Sequence, residues 1–507
     1  MRPGTLLRLA LAGTRTDTAR VVLTALAAMC AALSILSAAT VFAISGWADQ
    51  YTNALLIEPG LRPGTALALL LLCIPVLALA GQCSRLGAPA RDRRLAAIRL
   101  AGATPRQVTA VAVTETAVAS ALGALLGIAV YAGGRALLHR PGPDGRLPLP
   151  TDQLPPAAAI GVVLVGLPLL ASVAAAVLLR RAAFTPFGVV RRQRTRPPNP
   201  WPAALVIPGV GAFVVIEPLA RWFQRAEAPM PLWVLSLLLG GGGLLATIGV
   251  ILGTAWLSHT AGRVLHARGR GPATLLAARR LMADPWTGSR VFAALLACVL
   301  VGAGAAGVRA WFTAGFEVEQ ASNRAWAEAA GETYLDDSDR YAFYYRAFDL
   351  INAAVAVAVV IAALGLLVFA VEGIVSRRRA YTAMVATGVP RRTLARALSW
   401  QMLAPVVPAI ALALVVGLAM PRAMSREARS GRQSGTVCEA DDPALCEALD
   451  SPYLRTVETP EFVQPVAIPV GQLAVIGGVA LAAVTVSLGV SLLFLRSSTD
   501  ISDLRTT

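Results

Sequence analysis

Lysine does not occur anywhere in the 507 residues, so all 45 basic side chains are arginine. A phosphate-binding loop of the P-loop type needs a lysine to reach the nucleotide phosphates, so the chain cannot form that site by itself. Histidine is almost as scarce, at His139, His259 and His266, with no HExxH and no cysteine pair at zinc spacing in a plausible site. No GxSxG elbow occurs either, which leaves neither metalloenzyme nor hydrolase chemistry a foothold. Charged residues make up 15% of the chain against 56% hydrophobic ones, and the mean hydropathy of +0.64 is too high for a polar-surfaced globular protein. The net charge of +16 is confined to short segments between apolar runs, which reads as a topology signal and argues against a nucleic-acid partner.

Cysteine is also sparse. Cys30, Cys73, Cys83 and Cys298 lie in apolar segments and read as small buried hydrophobes. Cys438 and Cys446 lie instead in a polar, acidic loop placed outside the cytoplasm, where a short-range disulfide is permitted.

What remains is a series of about ten apolar runs of membrane-spanning length: Arg20 to Ser45, Leu61 to Cys83, Val108 to Leu138, Pro155 to Leu179, Trp201 to Ala220, Pro231 to Leu257, Val291 to Phe312, Leu350 to Val375, Leu398 to Met420 and Ala467 to Leu495. Placing Met1 in the cytoplasm puts about 30 arginines and about five acids inside, against about 15 arginines and about 22 acids outside. The expectation is a multi-pass protein of the plasma membrane, surrounded by lipid, with both termini cytoplasmic and an uncleaved first helix. The two largest outside loops, Arg309 to Arg346 and Pro421 to Pro465, are expected to fold as small caps.

The chain repeats itself. Arg8 to Arg20 and Ala278 to Arg290 each precede a span and read as short amphipathic lead-in helices. More sharply, RDRRLAAIRLAGATPRQV from Arg91 aligns with RRRAYTAMVATGVPRRTL from Arg377, placing Gly102 on Gly388 and Arg106 on Arg392. The same offset of 286 residues sets Glu115 on Gln401, and Gly123 and Gly127 on Ala409 and Ala413. An even number of spans separates the copies, so the repeat is parallel, unlike the inverted repeats of many secondary transporters. Glu115 is costly inside a span and is expected to bond across helices or to Arg106. The small-residue pairs let helices approach closely, and the run Gly240 to Gly243 reads as a kink or a tight crossing.

On these residues the chain resembles the FtsX-like permeases of ABC transporters. Their cytoplasmic loop runs from arginines through a Glu and an aliphatic stretch to Arg-Ala-Leu-Gly-Ala, and Arg99, Leu100, Ala101, Gly102 and Ala103 stand on that pattern, with Gly388 marking it in the second copy. The family's Glu is replaced by Arg94 and Ala380.

The resemblance implies an all-α integral membrane fold of two parallel four-helix units joined by a two-helix linker, divided at 1–196, 197–258 and 259–507, with cores at about 61–196 and 347–496. It implies that Arg93, Arg94, Arg99, Gly102, Arg106, Arg377, Arg378, Arg379, Gly388, Arg391 and Arg392 meet a separate cytoplasmic ABC ATPase, as a dimer. ATP and Mg would then sit on that partner, with no cofactor on this chain. Export or extraction of an amphipathic substrate is the leading expectation. A non-transporting transmitter, engaging an outside partner through Glu317 to Arg346 or Cys438 to Glu461, and a secondary transporter remain as alternatives.

Overall fold

The computed structural model describes residues 15–57, 62–73, 100, 102–183, 198–227, 230–331, 333–334, 338–438, 446 and 452–498. Within them, nine helical segments are long and apolar enough to cross a membrane. Nine of the ten expected spans are among them. Of the tenth, Leu61 to Cys83, helix α2 (Arg62–Leu71) is seen, and residues 74–83 lie outside the described part.

The first group of helices is α1 (Arg15–Ala43), α2, α3 (Pro105–Leu138) and α4 (Leu167–Ala183), the last preceded by a π turn at Val162–Gly166. Here α3 is central, packing on both α1 and α4, while α2 lies against α1. Small residues make this possible. A Cβ on Gly123 would stand 2.8 Å from that of Ala28, and one on Gly127 would stand 2.6 Å from that of Ala32. The backbones therefore approach more closely than larger side chains allow.

On the side away from the basic turns, segments 44–57 and 140–156 fold over the group. Buried Arg62 donates to the carbonyls of Leu56, Ile44 and Ile57 at 2.7, 2.9 and 2.7 Å, and the Tyr51 hydroxyl donates to Asp152 at 2.6 Å.

Next come α5 (Val206–Arg225) and α6 (Gly242–Arg268), then the short α7 (Pro272–Ala283). The Gly240 to Gly243 run serves both expected ends: a π turn spans Leu237–Gly241, and Gly242 presses on Ala212 and Gly209 of α5. This middle pair packs on α8 (Trp286–Ala330) and α11 (Arg391–Met424), and Phe213, Ile216, Ala246 and Val250 share one core with those helices.

The last group comprises α8, α9 (Ser338–Ser376), α10 (Arg378–Ala386), α11 and α12 (Val470–Ser498). Helix α8 is its axis and touches α9, α11 and α12. Between the first group and this one, α2 meets α9, and Ile361 of α9 joins the first group's core.

Two expectations need correction. The segment from Arg309 to Arg346 is not a cap but the helical continuation of α8 and α9, turned over at Gly331, whose positive φ of 75° ends α8. Phe312, Phe316, Tyr341, Tyr344, Tyr345 and Phe348 staple the two helices together with ring centroids 4.3 to 6.0 Å apart, so continued helix buries more apolar surface than a loop would.

The all-α membrane fold carries two short strand pairs outside its spans. Strand β1 (Glu427–Arg429) pairs antiparallel with β4 (Val463–Pro465), and β2 (Gln433–Cys438) pairs with β3 (Leu454–Thr459). These strands rest on the far end of α8, where the Trp326 ring occupies the space a side chain at Gly435 would need. Finally, Cys30 is exposed along its span, whereas Cys73 is half-buried, Cys298 is buried and Cys83 lies outside the described residues.

Candidate functional site

The turn between α9 and α11 can be followed residue by residue. Helix α9 ends at Ser376, Arg377 leaves helical geometry at φ −110° and ψ 13°, and α10 starts at Arg378. Tyr381 anchors α10: it is 2% exposed and packs with Ile374 and Leu394, beside Met384, Val385, Leu398 and Leu492. Arg377, Arg391 and Arg392 remain exposed on the same turn, so an apolar face holds the helix to the spans while arginines face outward.

Gly388 then takes φ +93°. Its N–H donates to the Val385 carbonyl at 3.0 Å, and that of Val389 donates to Met384 at 3.0 Å, the paired bonds of a glycine-ended helix. Pro390, extended at φ −65° and ψ 138°, starts α11.

The first copy is described from its end onward. Arg93, Arg94 and Arg99 lie outside the described residues, and the side chains of Arg378 and Arg379 do as well. Gly102 takes φ +94°, within one degree of Gly388. At neither glycine would a Cβ meet another atom within 4 Å, so backbone conformation, not crowding, selects glycine. Beyond it, Thr104 caps α3 by accepting from the Gln107 N–H at 3.4 Å, while the Gln107 side chain accepts from the Thr104 N–H at 3.0 Å. Arg106 is exposed one residue after Pro105.

Glu115 is buried at 7% exposure on α3. Arg106 precedes it by nine residues on one helix, about 13 Å along the axis, so the contact between them offered by the sequence is out of side-chain reach. Its counterpart Gln401 is half-buried and faces a cavity of about 80 Å³ shared with Arg377, Tyr381 and Ser491. The structure thus brings Gln401 and Arg377 together at the joint between α9 and α10.

Two residues of this joint were not singled out in the sequence. Arg280 on α7 donates to the Tyr381 hydroxyl at 2.7 Å, and its guanidinium stands 5.0 Å from the Tyr381 ring centroid. Through this pair the lead-in helix α7 touches α10, with Gly262 of α6 close-packed against Leu281 of the same helix. An aromatic in the otherwise arginine- and alanine-rich run RRRAYTAMVA was the available signal.

At the opposite end, Cys438, the last residue of β2, and Cys446, in the connection to β3, are joined in a disulfide with Cα atoms 5.9 Å apart. Arg309 pairs with Asp349 at 2.6 Å below it, tying α8 to α9. Among the described residues, no group of three or more His, Cys, Asp or Glu is placed to hold a metal ion.

No curated protein matches the chain. Two segments, residues 82–184 and 352–499, match the FtsX-like permease C-terminal family model. The first contains Gly102 and runs over α3 and α4; the second contains Gly388 and runs from α9 to α12. Over those two parts, just under half of the chain, it is similar to the FtsX-like permease family, and nine of the described helical segments are long and apolar enough to cross a membrane.

Proposed function

We propose that this chain is the permease subunit of an ABC transporter, in which two four-helix units of parallel orientation receive movement from a separate ATPase. The observation that carries the reading is the pair of glycines at matching places in the repeat, Gly102 and Gly388, held at φ +94° and +93°. A sequence repeat could be residual. A repeat that retains the same left-handed backbone at the end of a basic segment supports a shared mechanical task, namely presenting that segment as a rigid bar beneath the spans. The ATPase would dock on Arg85 to Arg106 and Arg377 to Arg396 and would hold the ATP and Mg.

Movement has a continuous route. Helix α8 has 45 residues, about 68 Å of helix, against a hydrocarbon core of about 30 Å. One end of α8 follows α7, which holds α10 through Arg280 and Tyr381; the other end carries the strands. A tilt at the arginine-rich end is therefore delivered to the β2–β3 hairpin. The same observation favours a second reading, a transmitter that carries no cargo and acts on an outside partner through the α8–α9 hairpin and the strands. The first reading predicts hydrolysis stimulated by an amphipathic cargo such as a peptide, antibiotic or lipid-like molecule. The second predicts a partner that binds 317–346 or 438–461 and no such stimulation.

The test is Gly102→Val and Gly388→Val, with Gly388→Asn as the control that tolerates positive φ. Valine should cost about 1–2 kcal/mol at one turn and leave the spans folded. Coupled ATP hydrolysis should fall about tenfold or more with valine and largely survive with asparagine. Full coupling in both valine variants, with the ATPase bound, would overturn the docking assignment.

A further inference from the structure

The cavity at the α9–α10 joint has the chemistry of a lipid headgroup site. Its floor and walls are apolar: Phe369, Ile374, Leu398, Met402, Leu488 and Leu492, drawn from three spans. Its polar lining residues are the exposed Arg377, Gln401 on α11, Tyr381 and Ser491. The Ser491 hydroxyl already donates to the Ser487 carbonyl at 2.6 Å, and the Tyr381 oxygen accepts from Arg280, which leaves Arg377 and Gln401 as the donors for a ligand.

Arginine and the amide N–H are donors, and none of the described lining residues is acidic. About 80 Å³ is room for several waters or for one phosphodiester group, too little for acyl chains, which must lie outside along the spans.

We propose that this cavity binds the phosphodiester of an anionic phospholipid from the surrounding bilayer, with Arg377 and Gln401 as its principal contacts. A basic pocket between helices at the arginine-rich side of a membrane is suited to such a headgroup, and the apolar flanks accept its chains. The repeat supplies an internal contrast. Where the second copy has the amide of Gln401, the first has the buried carboxylate of Glu115, which would repel the same headgroup. The proposal is therefore made for the second copy. A lipid held there bridges the hinge at Arg377 to α12, so its occupancy sets how freely α10 swings. The proposal does not rest on the presence of an ATPase, because lipid binding is read on the isolated chain.

The experiment is native mass spectrometry of the full-length chain in detergent supplemented with palmitoyl-oleoyl phosphatidylglycerol or phosphatidylcholine. The wild-type protein should retain phosphatidylglycerol in preference. Arg377→Gln and Gln401→Glu should each reduce its retention about tenfold, and Arg432→Gln, an exposed arginine near the strands, should leave it unchanged.

A photoactivatable phosphatidylglycerol on the wild-type chain keeps the question decidable if a variant misfolds. Adducts within Leu398–Met402 and Leu488–Leu492 support the site, and adducts only elsewhere overturn it. Equal retention of both lipids, or equal loss in all three variants, also overturns it. Displacement by millimolar inorganic phosphate would show that the cavity takes a free anion and would overturn the lipid assignment.

Discussion

The first and last helix groups differ in how much each depends on its neighbours. In the last group, 61% of the most apolar stretch of α8 is buried, and its core extends from α8 and α11 into the middle pair α5 and α6. In the first group, 33% of the most apolar stretch of α1 is buried, and its core is a smaller, alanine-rich cluster. The close helix contact also sits elsewhere. At Gly417 a Cβ would come within 2.5 Å of the Leu300 carbonyl, yet the first copy carries Tyr131 at the matching place, its hydroxyl bonded to that of Thr40. The two groups thus pack differently, while Gly102 and Gly388 take the same positive φ. Conformation at the turn is held more tightly than packing within the spans.

The largest effect should come from Gly417→Leu, which forces a side chain into the α8 backbone at the centre of the shared core. Overpacking there should cost about 3 kcal/mol or more and loosen α5, α6 and α8 together, seen as faster hydrogen exchange across all three. Gly127→Leu should cost a similar amount, but the exchange should quicken in α1, α3 and α4 and not in α5, α6 or α8, because the core it disturbs is that of the first group. If both variants loosened the whole molecule alike, the contrast between the groups would be gone.

Smaller and more local is the double change Cys438→Ser with Cys446→Ser. Opening this eight-residue separation should cost the hairpin about 2.5 kcal/mol on a chain-entropy account and admit a protease between β2 and β3, while the spans keep their melting temperature.

The smallest expected effect lies at the outer loops of the first copy. Burial first, and then the bond to Asp152, push the Tyr51 hydroxyl well above its ordinary value of 10.0. Burial works against ionising Asp152, but hydrogen bonds from Tyr51, its own backbone, Gln50 and Gln153 outweigh it and hold the carboxyl below its ordinary 3.8. The depressed carboxyl stabilises the folded loops above the ordinary carboxylate range, and that contribution is lost as pH falls through its lowered value. The raised phenol stabilises them below pH 10, and that part is lost as pH rises toward its elevated value. Amide protection at residues 44–57 should therefore be broadest between those limits, and Tyr51→Phe should remove most of the dependence on both sides; an unchanged profile would mean the pair contributes nothing.

Much of this was legible in the sequence. Span positions follow from apolar length, and the glycines of the basic turns follow from the repeat, because only a special backbone demands glycine twice at one offset. Three features were hidden for physical reasons. The outward extension of α8 and α9 is polar enough on one face to pass for a loop, and its helix is held by rings such as Phe316 and Tyr341, whose pairing is visible only in space. Strands β1 and β4 are three residues each, too short for an alternation to declare itself. Tyr381 and Arg280 are separated by about a hundred residues, and neither has a local pattern that reports on the other.

The central claim is that the turns ending at Gly102 and Gly388 couple this chain to an ATPase. Its most direct measurement is purification of the tagged chain from its native membrane in mild detergent, with identification of what remains bound and an assay of ATP hydrolysis on the eluate. The account predicts a stoichiometric P-loop ATPase with vanadate-sensitive activity. Its reproducible absence from an intact, folded preparation would contradict the account.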